Sequence, residues 1–378
     1  MGNTSGARTF DLASAVGDHY GIASMPGATG DEHDRLVGSL LAGSIHRYPP
    51  VISSVRIAED PEHWIMPSLN FAVLHDGQKF RMWYDLRDTR LWLKPNVPPG
   101  ACMPATAYAE SDDGIHWDMP DLGLHPYYPG IDNIVHTRQD SYSMCVALVD
   151  DGPDCSDPAL RFKLMVDSIQ PGSKPGKWGD PDQWDIGTMG QYAAFSSDGI
   201  HWREHENNPV MGSPEVEDII DAYYDADLKM YVMAHKVYKK VDGENRRHVG
   251  ISLSKDWVHW EHKGIVIGPL EGDDQFYGMS ITKIDGVYVG FLRIYQSKIG
   301  EDDGIGWTEV ATSTDLLNWR RYRHPFIPRG PLGSFDHAIL WMHAPVAVGS
   351  KLYYYYGGYP ISHKHAGNRG IGLLVVER

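Results

Sequence analysis

The stretch Ser111-Asp112-Asp113-Gly114-Ile115-His116-Trp117 decides the reading of this chain, because it recurs three times. The copies are Ser196-Ser197-Asp198-Gly199-Ile200-His201-Trp202, Ser254-Lys255-Asp256-Trp257-Val258-His259-Trp260 and Ser313-Thr314-Asp315-Leu316-Leu317-Asn318-Trp319. All four fit Ser-x-Asp-x-x-His/Asn-Trp. After one longer first step, the tryptophans recur at intervals of roughly 60 residues. Asp-Gly in the first two copies reads as a tight turn, since both residues tolerate positive φ.

Working outward, each copy follows a short strand signal, at 106–110, 192–195, 249–253 and 309–312. A pair of strand signals precedes each of these: 71–74 with 80–84, 143–148 with 161–166, 219–224 with 230–234, and 280–284 with 287–292. A fifth group, 338–348, 351–356 and 371–377, ends without the tryptophan turn. The early strand at 51–57 is then expected to complete that group and close a ring, which removes free edges. The fold class predicted is all-β, a five-bladed β-propeller over 51–378 with roughly 65 residues per blade. Residues 1–50 form an N-terminal extension containing one helix, at 31–41, with Thr29 or Asp31 as cap and Gly43 as stop. The repeated tryptophans are read as packing residues rather than sugar platforms.

Composition excludes several classes. The 378 residues hold 34 Lys+Arg against 50 Asp+Glu, a net charge of −16. No basic cluster exists beyond short pairs such as Lys239-Lys240 and Arg246-Arg247, so no nucleic-acid partner is expected. No apolar run approaches the ~20 residues of a membrane span, and the sequence as written shows no secretory signal. A cytoplasmic location is therefore the expectation, or a secreted or periplasmic one if an export segment was trimmed. Three cysteines are too few for a disulfide framework, and free thiols are expected. The oligomeric state has no signature here.

In an antiparallel blade the Ser-x-Asp turns lie on one face. The opposite face collects the long loops at 85–104, 168–190, 236–248, 296–307 and 357–369, together with the starts of the innermost strands. Those starts are polar: Asn70, Asp132-Asn133, Glu215 with Glu217, Asp218 and Asp221, Asp273-Asp274 with Tyr277, and Asp336-His337. Strand ends add Asp85, Arg87, Asp167, His235 and Arg293. Part of the negative charge is expected to gather at that mouth. Paired carboxylates among aromatic walls suit glycoside chemistry, in which one protonates the leaving oxygen and another acts as base or nucleophile.

With these features the chain resembles the five-bladed β-propeller glycosidases, namely the β-fructofuranosidase/levanase and arabinanase/α-L-arabinofuranosidase families. The carrying residues are the Ser-x-Asp turns, the runs KFRMWY at 79–84, KMYVM at 229–233 and KLYYYY at 351–356, and Asp274-Gln275-Phe276-Tyr277. The resemblance implies a glycoside hydrolase or transglycosylase acting on a glycoside or oligosaccharide, with a furanoside as one option. It implies Glu217 as general acid with Asp218 beside it, and Asp274 and Tyr277 lining the sugar site. Two departures stand out. The blade-1 nucleophile position falls on Met66-Pro67-Ser68, without a carboxylate, and blade 2 offers Asp132-Asn133 in place of an Arg-Asp-Pro motif. Asp85, Asp336 or Asp221 is left to supply the second carboxylate. Asp85 and Asp336 are taken as catalytic candidates with Glu217; Asp218, Asp274, Tyr277, His337, Arg293, His235 and Asn70 are taken as substrate-binding. The alternatives are a lyase using His337, His235, Tyr277 and Arg293, or a carbohydrate-binding protein without catalysis. No cofactor is required and no metal ligands are assigned, although a structural Ca²⁺ in an oxygen-rich channel is an option. His363-x-His365 and the cluster at 31–34 lack the spacing of a metal site.

Overall fold

In the computed structural model the described residues are 31–378, except 59, 89–104, 126–130, 139–142, 170–188, 271–274, 298–303 and 363–366. Among the described residues the chain is all-β apart from one α-helix and short turns. Helix α1 (Glu32–Ser39) is capped by Asp31, whose Oδ1 accepts from the Asp34 N–H at 3.1 Å. Its apolar Leu36 and Val37 are buried, and Arg320 pins its start by pairing with Asp31 and Asp34.

Five antiparallel strand sets follow. The first is β2 (Val55–Ile57), β3 (Asp60–His75), β4 (Phe80–Asp88), β5 (Ala105–Ser111) and β6 (Ile134–His136). The second is β7 (Met144–Asp150), β8 (Phe162–Ile169) and β9 (Met189–Ser196), with β10 (Arg203–Glu204) and β11 (Met211–Gly212) both on β9. The third is β12 (Ile219–Asp225), β13 (Met230–Val241), β14 (Glu244–Ser254) and β15 (Trp260–Ile267). The fourth is β16 (Gln275–Ile284), β17 (Val287–Gln296), β18 (Ile305–Ser313) and β19 (Arg320–Tyr322). The fifth is β20 (Ile339–Met342) and β21 (Val346–Val348), both on β22 (Lys351–Tyr359), then β23 (Gly370–Glu377) and β1 (Ser44–Ser53). One parallel bridge, Gly306 to Ile339, fuses the fourth and fifth sets into a single nine-stranded sheet.

The sets touch in a cycle. Strand β3 packs on β7, β7 on β12, β12 on β16, β17 and β18 on β20, and β21 and β22 return to β3. A cavity of about 340 Å³ is lined from all five sets, by Phe71, Leu148, Asp221, Ser280 and His343 among others.

The early strand divides its work differently from the expectation. Its pairing begins at Ser44, residues 44–53 run against β23, and a break at Ser54 hands residues 55–57 to β3. The segment expected as a loop at 236–248 is instead a long β13–β14 hairpin. Its turn, Asp242-Gly243, has φ of 53° and 81°, the positive pair that suits a two-residue hairpin.

The Ser-x-Asp turns are structural. In the first, Asp113 Oδ1 accepts from the Ile115 and His116 N–H groups, both at 2.8 Å, and Oδ2 meets His116 Nδ1 at 2.7 Å. Burial works against ionisation of Asp113, but these bonds outweigh it and hold the carboxyl near 2. Neighbouring sets clamp onto the turns: Trp83 Nε1 donates to Gly199 O at 2.7 Å, Trp257 Nε1 to Leu164 O at 3.2 Å, and Tyr355 Oη to Gly114 O at 2.7 Å. The third and fourth copies place Trp257 and Leu316 where the first two have glycine, at φ of 71° and 68°. Both side chains are buried, so packing offsets the backbone cost.

Candidate active site

The segment entering β12 brings two carboxylates onto β13. Glu217 N–H donates to Lys236 O and Lys236 N–H to Asp218 O, at 3.0 and 2.9 Å. Asp218 Oδ2 then lies 2.5 Å from Lys236 Nζ. Burial disfavours the Asp218 carboxylate, but the lysine's charge outweighs it and keeps the group below its ordinary range. Glu217 is 4 % exposed and behaves in the opposite way. Burial, then the neighbouring Asp218 charge, push its carboxyl up to about 8. It therefore holds a proton at neutral pH, the state a general acid needs.

The second set supplies Asp167 and Cys145. Asp167 is fully buried at the end of β8 and accepts from Gln191 Nε2 at 3.1 Å and the Ile219 N–H at 3.2 Å. Gln191 Nε2 also donates to Glu217 O at 2.8 Å, tying the second set to the third. Burial and Asp218 push the Asp167 carboxyl well above its ordinary value. Cys145 sits at φ 58°, and its Sγ accepts from Asn70 Nδ2 at 2.9 Å. One ligand atom each from Cys145, Asp167 and Asp218 fall within 4.8 Å of one another. The trio suits calcium poorly, because that cation takes oxygen ligands and Lys236 already holds Asp218.

From the first set comes Asp85, fully buried, with Oδ2 bound by Arg87 Nε at 3.0 Å and Nη2 at 2.7 Å. The Cys145 N–H approaches the same oxygen at 3.4 Å, and Oδ1 has no hydrogen-bond partner among the described residues. The fourth set brings Tyr277, whose ring stacks on Trp341 at 4.6 Å and carries Lys236 Nζ 3.8 Å from its centre. Arg247 lies 5.0 Å from the same ring, and its N–H donates to Gln275 Oε1 at 2.9 Å. The fifth set contributes Tyr359, with Arg369 over its face at 4.3 Å.

Glu217, Asp218, Tyr277 and Asp85 thus belong to one connected cluster, and Asn70 joins it through Cys145. Arg293 stands a step further away: fully buried, it reaches Asn70 Oδ1 at 3.4 Å and His343 Nε2 at 2.6 Å, and burial pulls its guanidinium down to about 10.

The other sequence candidates have different company. Asp336 accepts from Arg47 Nη2 at 2.5 Å, Tyr356 Oη at 2.9 Å and Ser334 Oγ at 2.7 Å, an arrangement that fixes β1 to β22. His337 faces Gly330 O at 3.3 Å. His235 meets Lys236 O through Nδ1 at 3.3 Å and Ser252 Oγ through Nε2 at 2.8 Å; burial lowers its imidazole to about 4. Asp221 bonds Ser280 at the cavity, and burial raises its carboxyl to about 6. Asp274 and the His363-x-His365 pair lie outside the described residues.

Lys236, Arg247, Cys145, Gln191 and Arg369 were absent from the sequence candidates. Asp167 was already read as a strand end, whereas Lys236 lies inside β13 (Met230–Val241), where strand-end position gives no signal. Among the described residues the cluster's carboxylates have cationic neighbours: Arg87 pairs with Asp85, Lys236 with Asp218, and Arg247 also favours the ionised Asp218.

No family model and no curated protein matches the chain. Solved structures do match over nearly its whole length. One described as a glycoside hydrolase is 17% identical with TM-score 0.61, covering 92% of this chain and 96% of that one. An N-acetylgalactosamine deacetylase from F. plautii, solved with blood group B trisaccharide, is 14% identical with TM-score 0.56, covering 88% and 95%. A β-1,2-mannobiose phosphorylase from Listeria innocua is 12% identical with TM-score 0.55, covering 88% and 96%. At these identities the likeness establishes a shared fold, and the chain has the all-β architecture of proteins that act on carbohydrates.

Proposed function

We propose that the five strand sets are the blades of a five-bladed propeller and that the chain is a glycosidase working at the mouth of its channel. The cycle of contacts between sets and the five-sided lining of the channel support the architecture. The observation that carries the function is Glu217, a buried carboxylic acid kept protonated beside an ionised Asp218.

In the proposed reaction Glu217 gives its proton to the glycosidic oxygen as the bond to the anomeric carbon breaks. Asp85 takes a proton from the incoming water, or attacks the anomeric carbon itself, with Arg87 orienting it through Oδ2 while Oδ1 has no hydrogen-bond partner among the described residues. Tyr277 offers an aromatic wall, rigid through its stack on Trp341. Asp336 belongs to the scaffold in this reading, and the chemistry needs no cofactor. Screening aryl glycosides and oligosaccharides, furanosides and pyranosides alike, tests the proposal. Cleavage of at least one substrate by the wild type and its loss in Glu217→Gln are expected.

A second reading is phosphorolysis, favoured by Lys236 and Arg247 standing beside Glu217 and by the mannobiose phosphorylase among the similar structures. Running the same screen with and without inorganic phosphate separates the two.

A further inference from the structure

Glu217 and Asp218 precede the first ladder pair of β12, Ile219 with His235, and the pairing is interrupted again between Ile219 and Asp221. Within its own set, the backbone that carries the acid is held through the two Lys236 bonds. The second set supplies a further grip. Gln191 stands on β9 opposite Asp167 on β8 and is wholly buried. Its Nε2 donates in two directions, to Glu217 O at 2.8 Å and to Asp167 Oδ1 at 3.1 Å. Asp167 in turn accepts from the Ile219 N–H at 3.2 Å. One amide and one carboxyl thus hold the 217–219 backbone on both sides of Asp218, across the seam between two sets.

For packing alone an apolar side chain of similar size would be the better occupant of this position. Gln191 Oε1 has no hydrogen-bond partner among the described residues, and a buried amide oxygen left without one is unfavourable. The two bonds made by Nε2 offset that cost. The Glu217 carboxyl itself is bonded by Ser213 and faces the charges of Asp218, Lys236 and Arg247. Gln191 bonds to the carbonyl of Glu217, not to its carboxyl, and carries no charge, so it acts on the acid through placement. Placement matters, because a shift of about 1 Å in a reacting group can cost about 10²-fold in rate.

We propose that Gln191 is a positioning residue, which holds the Glu217 acid in place from the neighbouring set. Its effect on turnover rests on the glycosidase reading, whereas its effect on the carboxyl does not.

Gln191→Leu removes both bonds and changes no charge. Difference infrared spectroscopy follows the protonated carboxyl band that Glu217→Gln removes. In Gln191→Leu the affinity of that carboxyl for its proton should drop tenfold or more, as water reaches the loosened acid. On a glycoside with a poor leaving group the variant should lose tenfold or more in kcat with KM within twofold. A dinitrophenyl glycoside, whose leaving group departs without a proton, should be cleaved at close to the wild-type rate. If Gln191→Leu does not fold, Gln191→Asn replaces it: it keeps a buried amide that is one methylene too short to span both acceptors, and the same results are expected. Unchanged proton affinity, or equal losses on the two aglycones, overturns the proposal, since a general loosening of the fold slows both substrates alike. A wild type without the band overturns it together with the acid assignment. Failure of the glycosidase reading alone looks different: the proton affinity drops as expected, yet the wild type cleaves no glycoside.

Discussion

Lys236 Nζ sits 2.5 Å from Asp218 Oδ2, while among the described residues no cation bonds to the carboxyl of Glu217, one residue earlier. One lysine therefore divides two adjacent acids into an ionised group and a protonated one. That division separates a general acid from its surroundings at neutral pH.

Removing the lysine should expose the cost of the arrangement. Lys236→Met leaves Asp218 as a largely buried charge without its partner and should destabilise the protein by about 3 kcal/mol, the lower end for a broken buried pair. Adding Asp218→Asn should recover part of that loss. Urea unfolding of the two variants and the wild type measures both effects.

The raised carboxyl of Glu217 has consequences for pH in two directions. As general acid it works protonated, so kcat should fall as pH rises through about 8. Stability moves the same way. The folded value lies above the ordinary 4.5, so the folded state binds the proton more tightly than the unfolded chain. The stabilisation is complete below about 4.5 and is lost as pH rises towards 8. Glu217→Gln should therefore melt higher than the wild type at pH 9, with the advantage shrinking towards pH 5, as read by thermal denaturation.

The two second-carboxylate candidates should part company. Asp85→Asn should cut turnover by about 10²-fold or more while the protein still folds. Asp336→Asn should weaken the bonds to Arg47 and Tyr356, lower the melting temperature, and leave specific activity close to that of the wild type. Parallel melts and kinetics on the two variants settle which carboxylate is chemical.

Turn packing gives a test independent of the chemistry. Gly199 has φ +77°, and a Cβ there would lie 2.7 Å from Trp83 Cζ2. Gly77 has φ +93° with open space around it. Gly77→Ala should cost about 1 kcal/mol through the backbone alone, and Gly199→Ala about 1–3 kcal/mol more from the clash.

Much of the strand order was legible because the Ser-x-Asp turn is a local device. Its serine, aspartate and backbone bonds fall within a few residues, so sequence carries them whole. Glu217 and Asp218 were legible as carboxylates at a strand start. What escaped was decided at long range. Lys236 and Arg247 reach the cluster because β13 and β14 continue as a hairpin past Val237, although Asp242-Gly243 was a readable turn signal. Cys145 and Gln191 matter only through partners in other sets. Asp336 looked equivalent to the other strand-start acids until Arg47, 289 positions away, was found on it.

The most direct measurement is steady-state cleavage of one glycoside by the wild type and Glu217→Gln, using two aglycones. With a poor leaving group the variant should lose about 10²-fold or more in kcat, and with a dinitrophenyl leaving group, which departs without a proton, it should regain most of that loss. Undiminished turnover of the poor leaving group by Glu217→Gln would contradict Glu217 as the proton donor.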